Sequence, residues 1–172
     1  ERCQYFRHLS IALQSRKDEF AKIMALEMGK PILQGKAEIE KSAWVCDYYA
    51  DNALSFLSIK KVKTDASESY ITFQPLGVVL AIMPWNFPFW QVFRFAAPVM
   101  IAGNVSILKH SSNVQGCADA IEGLFLEASF PENVFRNLTI SSQKVDEVIK
   151  NPMVKAISLT GSTPAGKDVA KK

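Results

Sequence analysis

The amino-acid sequence predicts an α/β fold: a parallel sheet flanked by helices, preceded by a helical segment and an extended arm. Three observations predict it. The run Val78-Val79-Leu80-Ala81-Ile82 is short, rich in β-branched residues and free of polar alternation, as in a strand buried on both faces of a parallel sheet. From Leu76 onward, such runs alternate with helical patterns through short connections, which gives repeated βα units with right-handed crossovers. Before Leu76 the periodicity is helical to about residue 57 and extended after it.

Residues 1–15 carry Phe6, Leu9 and Leu13 at helical spacing, and residues 18–28 repeat the pattern with Phe20, Ile23, Met24 and Leu26. Gly29 then supplies a C-terminal cap and Pro31 forbids continuation. A longer amphipathic helix is expected over residues 32–57, with Ile39, Ala43, Trp44, Tyr48 and Leu54 buried and the stripe Trp44, Tyr48, Tyr49 in the core. Residues 58–74 alternate, with Ile59 and Val62 separated from Tyr70-Ile71-Thr72-Phe73 by a polar stretch, and predict a β-arm containing a turn. An exposed arm of this kind needs an edge to pair with. There follow a strand over 77–82, a helix over about 89–102 that Pro98 kinks or restarts, a strand over 105–109 and a helix over 113–128. A strand over 134–138, a helix over 143–150, a strand over 154–159 and a helix opening near Thr163 complete the order. The chain thus divides into helices (1–57), arm (58–75) and α/β region (76–172), with no internal repeat.

A chain of 172 residues, 48% hydrophobic and 22% charged, has the material for one globular core, which excludes a disordered or fibrous protein. The net charge of +3 is mild, and Lys60, Lys61, Lys63, Lys171 and Lys172 lie among acids rather than in a stripe, so no nucleic-acid partner is expected. No apolar run reaches membrane length. Cys3, Cys46 and Cys117 are odd in number and lack metal or redox spacing, which suits free thiols, no metal and a reducing, cytoplasmic compartment. The sequence opens and closes inside helical patterns, and both ends are expected to be cuts.

Parallel strands present ligands at their carboxyl ends. After the first strand comes Pro84-Trp85-Asn86-Phe87-Pro88, where two prolines fix φ on either side of a candidate hydrogen-bond donor. The Asn86 amide could stabilise a developing oxyanion without changing protonation state; from the residues alone, a turn or cap role is the favoured reading. No G-x-G-x-x-G motif is present, so a dinucleotide would need other contacts. Lys109, ending the second strand, is a cation placed to meet ribose hydroxyls or a phosphate, or a solvated surface lysine. His110 is expected on a surface loop and His8 on a helix face. Gly161, Ser162 and Gly166 follow a strand and open a helix, which makes an anion site. The same stretch with Lys167 is one residue from a P-loop, Asp168 standing where a hydroxyl is required, so a nucleotide triphosphatase is the alternative function.

The stretch AIMPWNFP, then a helix, then Ala102-Gly103-Asn104 and a strand ending in Leu108-Lys109, resembles the aldehyde dehydrogenase superfamily. Glu27-Met28-Gly29-Lys30-Pro31 and Leu159-Thr160-Gly161-Ser162-Thr163 match it too, in order, and the resemblance looks closest to the succinate-semialdehyde dehydrogenase branch. It implies a Rossmann-like sheet binding NAD or NADP, with Ile82, Met83, Pro84, Trp85, Lys109, Ser112, Gly161, Ser162 and Gly166 on the cofactor and Asn86 as the oxyanion donor. Ser112 stands where NAD-preferring relatives carry a glutamate, which permits NADP. Arg94, eight residues after Asn86 and on a face with Trp90, is the candidate for a substrate carboxylate, a structural ion pair being the alternative; Phe87, Phe89, Trp90 and Phe93 could wall a substrate tunnel or belong to the core. The implied partners are a small aldehyde bearing a carboxylate and further copies of the chain, joined through the arm as a dimer or tetramer. Two departures stand out: Asn137-Leu138-Thr139-Ile140-Ser141 replaces a glycine-containing turn, and none of the three cysteines follows a motif for the family's nucleophile. The segment is therefore expected not to complete the reaction alone, and a non-catalytic interaction module is the remaining alternative.

Overall fold

The computed structural model describes residues 1–172. Three helices come first: α1 (Arg2–Ser15), α2 (Lys17–Met28) and α3 (Ile32–Phe56). Gly29 ends α2 in the left-handed conformation, at φ 71°, and its amide donates to the Ala25 carbonyl at 3.0 Å. Pro31 then starts α3 with its φ already suited to a helix entry.

The buried face of α3 differs from the expectation. It consists of Gly35, Glu38, Ile39, Ser42, Ala43, Val45, Cys46, Ala50 and Ala53, whereas Trp44, Tyr48 and Leu54 are exposed, Leu54 at 83%. Tyr49 alone of the aromatic stripe packs partly against the core. The reason is distance: a Cβ at Gly35 would lie 3.0 Å from the Ala21 Cβ, so α2 and α3 approach too closely for large side chains. The aromatics stack on one another outside, Trp44 on Tyr48 at 5.7 Å between ring centroids.

The arm is a hairpin of two short antiparallel strands, β1 (Lys60–Lys61) and β2 (Tyr70–Ile71), exposed on both faces. The α/β region follows as β3 (Val78–Met83), α4 (Trp90–Ile101), β4 (Val105–His110), α5 (Gln115–Glu127), β5 (Phe135–Asn137), α6 (Val145–Ile149), β6 (Val154–Leu159) and α7 (Thr163–Val169). Helix α4 runs through Pro98 without restarting, and the helix expected over 143–150 is a 3-10 turn leading into the short α6. All four strands of the main sheet are parallel, in the order β5-β4-β3-β6. The chain reverses its direction of winding between β3 and β6, which makes their carboxyl ends the topological switch point of a Rossmann-like sheet.

Strand β3 is central, and Leu80 and Ala81 are fully buried. Strand β6 pairs only with β3 and alternates between partly covered and exposed residues, as an edge strand does. No helix is long and apolar enough to cross a membrane.

The core is continuous between the N-terminal helices and the sheet. Phe20 lies against Phe89, Phe89 stacks on Phe93, Phe93 on Phe125, and Phe125 on Phe135 at 4.2 Å and 8°. The rings of Phe20, Phe89, Phe93 and Phe125 are essentially inaccessible to solvent, so Phe89 and Phe93 are core rather than tunnel wall. Phe93 lies between two stacked neighbours in the middle of this row and is fully buried, so its truncation leaves an unfilled space in the core. Phe93→Ala is expected to lower the unfolding free energy by about 3–5 kcal/mol, read as a fall in the urea midpoint.

Candidate active site

The carboxyl edge of the sheet gathers most of the residues singled out in the sequence. After β3 the chain passes through Pro84, Trp85, Asn86, Phe87 and Pro88 before α4 opens. Trp85, Asn86 and Phe87 are exposed and Pro88 is buried. The segment is held by side chains from three other elements. Lys30 Nζ donates to the Asn86 carbonyl at 2.9 Å and sits 4.0 Å from the centre of the Phe87 ring. The same ammonium forms a buried ion pair with Glu38 of α3, both residues being at most 6% exposed. The other oxygen of that carboxylate, Oε1, accepts from the backbone amides of Phe89 and Trp90 at 2.9 and 3.0 Å. Glu38 thereby caps α4, which has no side-chain cap of its own, and places negative charge at the positive end of the helix.

At the end of β4, Lys109 lies beside Ile82 in the strand register, and His110 beside Met83. Lys109 is half-buried; burial pushes its pKa below the usual lysine value, and no carboxylate pairs with it. Ser112 is exposed on the turn before α5, with no acid in its place. A half-buried, unpaired cation with an exposed hydroxyl three residues further along the chain is a donor set that fits the sugar and phosphate of a dinucleotide.

His110 is not on a surface loop. It is 1% exposed, its Nδ1 accepts from the Ser111 amide at 2.9 Å, and its Nε2 lies 3.0 Å from the Pro88 carbonyl. Since Nδ1 is an acceptor, the proton resides on Nε2, which donates to Pro88. Burial holds the imidazole pKa below the ordinary histidine value; the Pro88 and Met83 carbonyls and Glu27 oppose this, and Lys109 adds to it. His8 lies exposed on α1, as expected.

At the end of β6, the Thr160 amide donates to the Ile82 carbonyl at 3.0 Å, and the Thr160 hydroxyl accepts from Arg94 Nη2 at 3.1 Å. Arg94 is exposed on α4 and has no acid partner, so it reaches the strand edge from the helix instead of closing an ion pair. Ser162 is used as the N-cap of α7, accepting from the Ala165 amide at 3.3 Å. Because α7 starts at Thr163, Gly166 and Lys167 lie inside a helix rather than in a phosphate-wrapping loop, and the P-loop geometry is not formed. Trp90 and Phe87 line a cavity of about 370 Å³ with Gln34, Ala37, Glu38 and Lys41, the Lys41 ammonium standing 4.1 Å above the Trp90 ring. In the 137–141 segment, the Asn137 amide donates to Glu122 at 2.6 Å and its side chain to Asp119 at 2.8 Å, which ties that turn to α5.

The cysteines stand apart from this edge. Cys46 and Cys117 are buried, and burial pushes both thiols up in pKa. Cys3 lies on α1 in a cavity with Ala53, Leu57 and Ile101, at the opposite edge of the sheet.

Sequence reasoning missed Lys30, Glu38 and Glu27 as structural actors. Glu27 accepts from the amides of Gly116 and Cys117 at 2.6 and 2.8 Å and so caps α5 from α2. A signal existed for Glu38, a charge on the same helical face as Ile39 and Ser42; for Glu27 and Lys30 it was their place in the family-like stretch over 27–31.

This geometry is that of a known family. The profile of the Aldehyde dehydrogenase family matches residues 1–172, and the chain belongs to that family of oxidoreductases. Among its relatives, it is 52% identical over 170 residues to a probable succinate-semialdehyde dehydrogenase [NADP(+)] of Synechocystis, with 99% of this chain and 37% of the relative aligned. It is 42% identical over 165 residues to the succinate semialdehyde dehydrogenase [NAD(P)+] Sad of Escherichia coli, covering 96% of this chain and 36% of that one. The crystal structure of a succinic semialdehyde dehydrogenase from Streptococcus pyogenes in complex with NADP+ superposes with a TM-score of 0.97 at 37% identity, over 99% of this chain and 38% of that chain. The chain therefore spans little more than a third of the length of these relatives.

The state of His110 has a consequence for stability. Its folded pKa lies below the value of about 6.5 in an unfolded chain, so on acidification the unfolded state takes up a proton first and stability falls from about pH 6.5 downwards. His110→Gln keeps a donor toward Pro88 and removes the titration. The urea midpoint of the native sequence is expected to fall more steeply than that of His110→Gln between about pH 7.5 and about pH 5.5.

Proposed function

We propose that this chain is the cofactor-binding portion of an aldehyde dehydrogenase that oxidises succinate semialdehyde with NADP in preference to NAD. What supports the reading is that Asn86 follows the carboxyl end of β3, the unpaired Lys109 ends the adjacent β4 with Ser112 on the turn after it, and Arg94 bonds Thr160 at the end of β6. Lys109 and Ser112 would hold the adenosine ribose and its phosphate, with Ile82, Met83, Pro84 and Trp85 along one side and Gly161, Ser162 and Gly166 toward the pyrophosphate. When bound, the dinucleotide supplies the acceptor for hydride. The names of the relatives, which specify NADP(+) or NAD(P)+, support the cofactor assignment.

The chain's own residues do the rest of the work assigned to it. Asn86 donates from its side-chain amide to the aldehyde oxygen as that oxygen gains negative charge, stabilising the transition state more than the ground state. Arg94 offers a planar pair of donors to the distal carboxylate, and Trp90 and Phe87 exclude water around the intervening methylenes. No cysteine here can be the nucleophile: two thiols are buried with raised pKa, and the third lies at the far edge. Attack on the carbonyl and release of the acid thus belong to residues outside this segment, and residues 1–172 by themselves do not turn over.

The arm supports a further part of the reading. A two-stranded hairpin with Ile59, Val62, Tyr70, Ile71 and Phe73 exposed is marginal alone and gains a covered face by pairing with another copy, which gives a homo-oligomer.

Isothermal titration of the 172-residue chain with NADP, NAD and ATP tests the cofactor site. NADP is expected to bind more tightly than NAD, Lys109→Ala to weaken NADP by roughly 10- to 100-fold, and Lys167→Ala to leave it unchanged. ATP binding abolished by Lys167→Ala would instead restore the triphosphatase reading. The catalytic role is tested in a chimera carrying residues 1–172 in place of the matching segment of the Synechocystis relative. There Asn86→Ala should lower kcat on succinate semialdehyde by about 10²–10³-fold with little change in KM.

A further inference from the structure

Asn86 makes no side-chain hydrogen bond within the chain, and its residue is exposed. Within the chain only its backbone is held, which sets where the side chain is anchored and the directions it can reach, in a segment that belongs to neither β3 nor α4. Turns of this kind between a strand and a helix are mobile unless their peptide groups are tied down. Here five consecutive residues are tied. Lys30 binds the carbonyl of Asn86 and lies on the ring of Phe87, His110 binds the carbonyl of Pro88, and Glu38 accepts from the amides of Phe89 and Trp90. The three side chains come from three different places in the fold, the α2–α3 junction, the end of β4 and the second turn of α3.

We propose that Lys30, Glu38 and His110 are positioning residues that fix the 86–90 backbone and thereby aim the Asn86 amide at the reacting carbonyl. The proposal rests on the reading of Asn86 as the oxyanion donor. Its physical basis is that a donor contributes to transition-state stabilisation only if its orientation is set beforehand, within a few tenths of an ångström. Proline alone does not achieve this, since it fixes φ at Pro84 and Pro88 and leaves both dihedrals of Asn86 free. Lys30 is suited to the task because its ammonium has three protons to give. One goes to Glu38, one to the Asn86 carbonyl, and the charge faces the Phe87 ring.

The test is ¹⁹F NMR of the 172-residue chain labelled with 5-fluorotryptophan. Its three tryptophans, Trp44, Trp85 and Trp90, are assigned by single replacement with phenylalanine. Trp85 adjoins Asn86 and reports the segment, while Trp44, exposed on α3, reports folding. Lys30→Met alone would leave the Glu38 charge buried and unpaired, so the informative variant is Lys30→Met with Glu38→Gln, which retains an oxygen for the α4 amides and removes the donor to Asn86. The native chain should give one Trp85 line. That line is expected to be lost to splitting or broadening in the double variant and in His110→Leu, and to return as a single line in His110→Gln, with the Trp44 line unmoved throughout. A single, unshifted Trp85 line in both the double variant and His110→Leu would overturn the clamp. That result is separate from the reading of Asn86 itself, which stands or falls on the kinetics of Asn86→Ala in the chimera.

Discussion

The buried pair of Lys30 and Glu38 is the constraint on which the rest of the structure depends. Two charges removed from water are costly, and an ion pair alone does not recover that cost; it does so only when the remaining protons and lone pairs are also satisfied. Here they are. The ammonium has the carboxylate, the Asn86 carbonyl and an aromatic face, and the carboxylate has the ammonium and two amides. The polar groups that complete the pair are thus the backbone groups of the strand-to-helix turn. Folding the N-terminal helices onto the sheet and shaping the turn at the candidate site are consequently one event.

A second carboxylate repeats the device. Helices α4 and α5 have no cap of their own, and each would leave amides unsatisfied at a partly buried end. Glu38 supplies the first and Glu27 the second, from α3 and α2. Gly116 is part of the arrangement, because a Cβ there would lie 2.9 Å from a Glu27 oxygen. The helical layer is therefore more than a cover for the sheet's apolar face. It sets where two of the βα helices begin, and the beginnings of those helices lie at the edge where the ligands would bind.

What could be read from the sequence followed from local rules. Strand β3 announces itself through an unbroken β-branched run, Gly29 and Pro31 mark a helix end, and Asn86 stands between prolines after a strand. The misreadings share a cause, which is that the deciding partner is distant in sequence. Trp44 and Tyr48 match a helical stripe as well as Ser42 and Cys46 do, and only the nearness of α2 at Gly35 selects the small residues for burial. His110 follows a lysine and precedes two serines, a polar context that reads as a loop, yet its ring is buried and bonded to a carbonyl 22 residues away. The near-match to a P-loop fails for a local reason that periodicity could not weigh, the N-cap at Ser162 starting the helix before the second glycine. The capping roles of Glu27 and Glu38 lie beyond local rules, because capping rules look three residues ahead and these carboxylates reach 89 and 51.

The dipeptide Lys109-His110 joins these strands of argument. Successive residues of a strand face opposite sides of the sheet, and β4 alternates accordingly, Lys109 half-exposed and His110 buried. One residue thus offers a cation to the ligand edge while its neighbour holds the Pro88 carbonyl from within. The two placements depend on one register, since a slip of one residue in β4 would exchange an ammonium for an imidazole on both sides at once. Register is held on one flank by β3, from Val78 opposite Val105 to Met83 opposite His110, and on the other by β5. The proposed cofactor contact at Lys109 and the Pro88 anchor of the turn that carries Asn86 both depend on this strand pairing, and either would be lost with it.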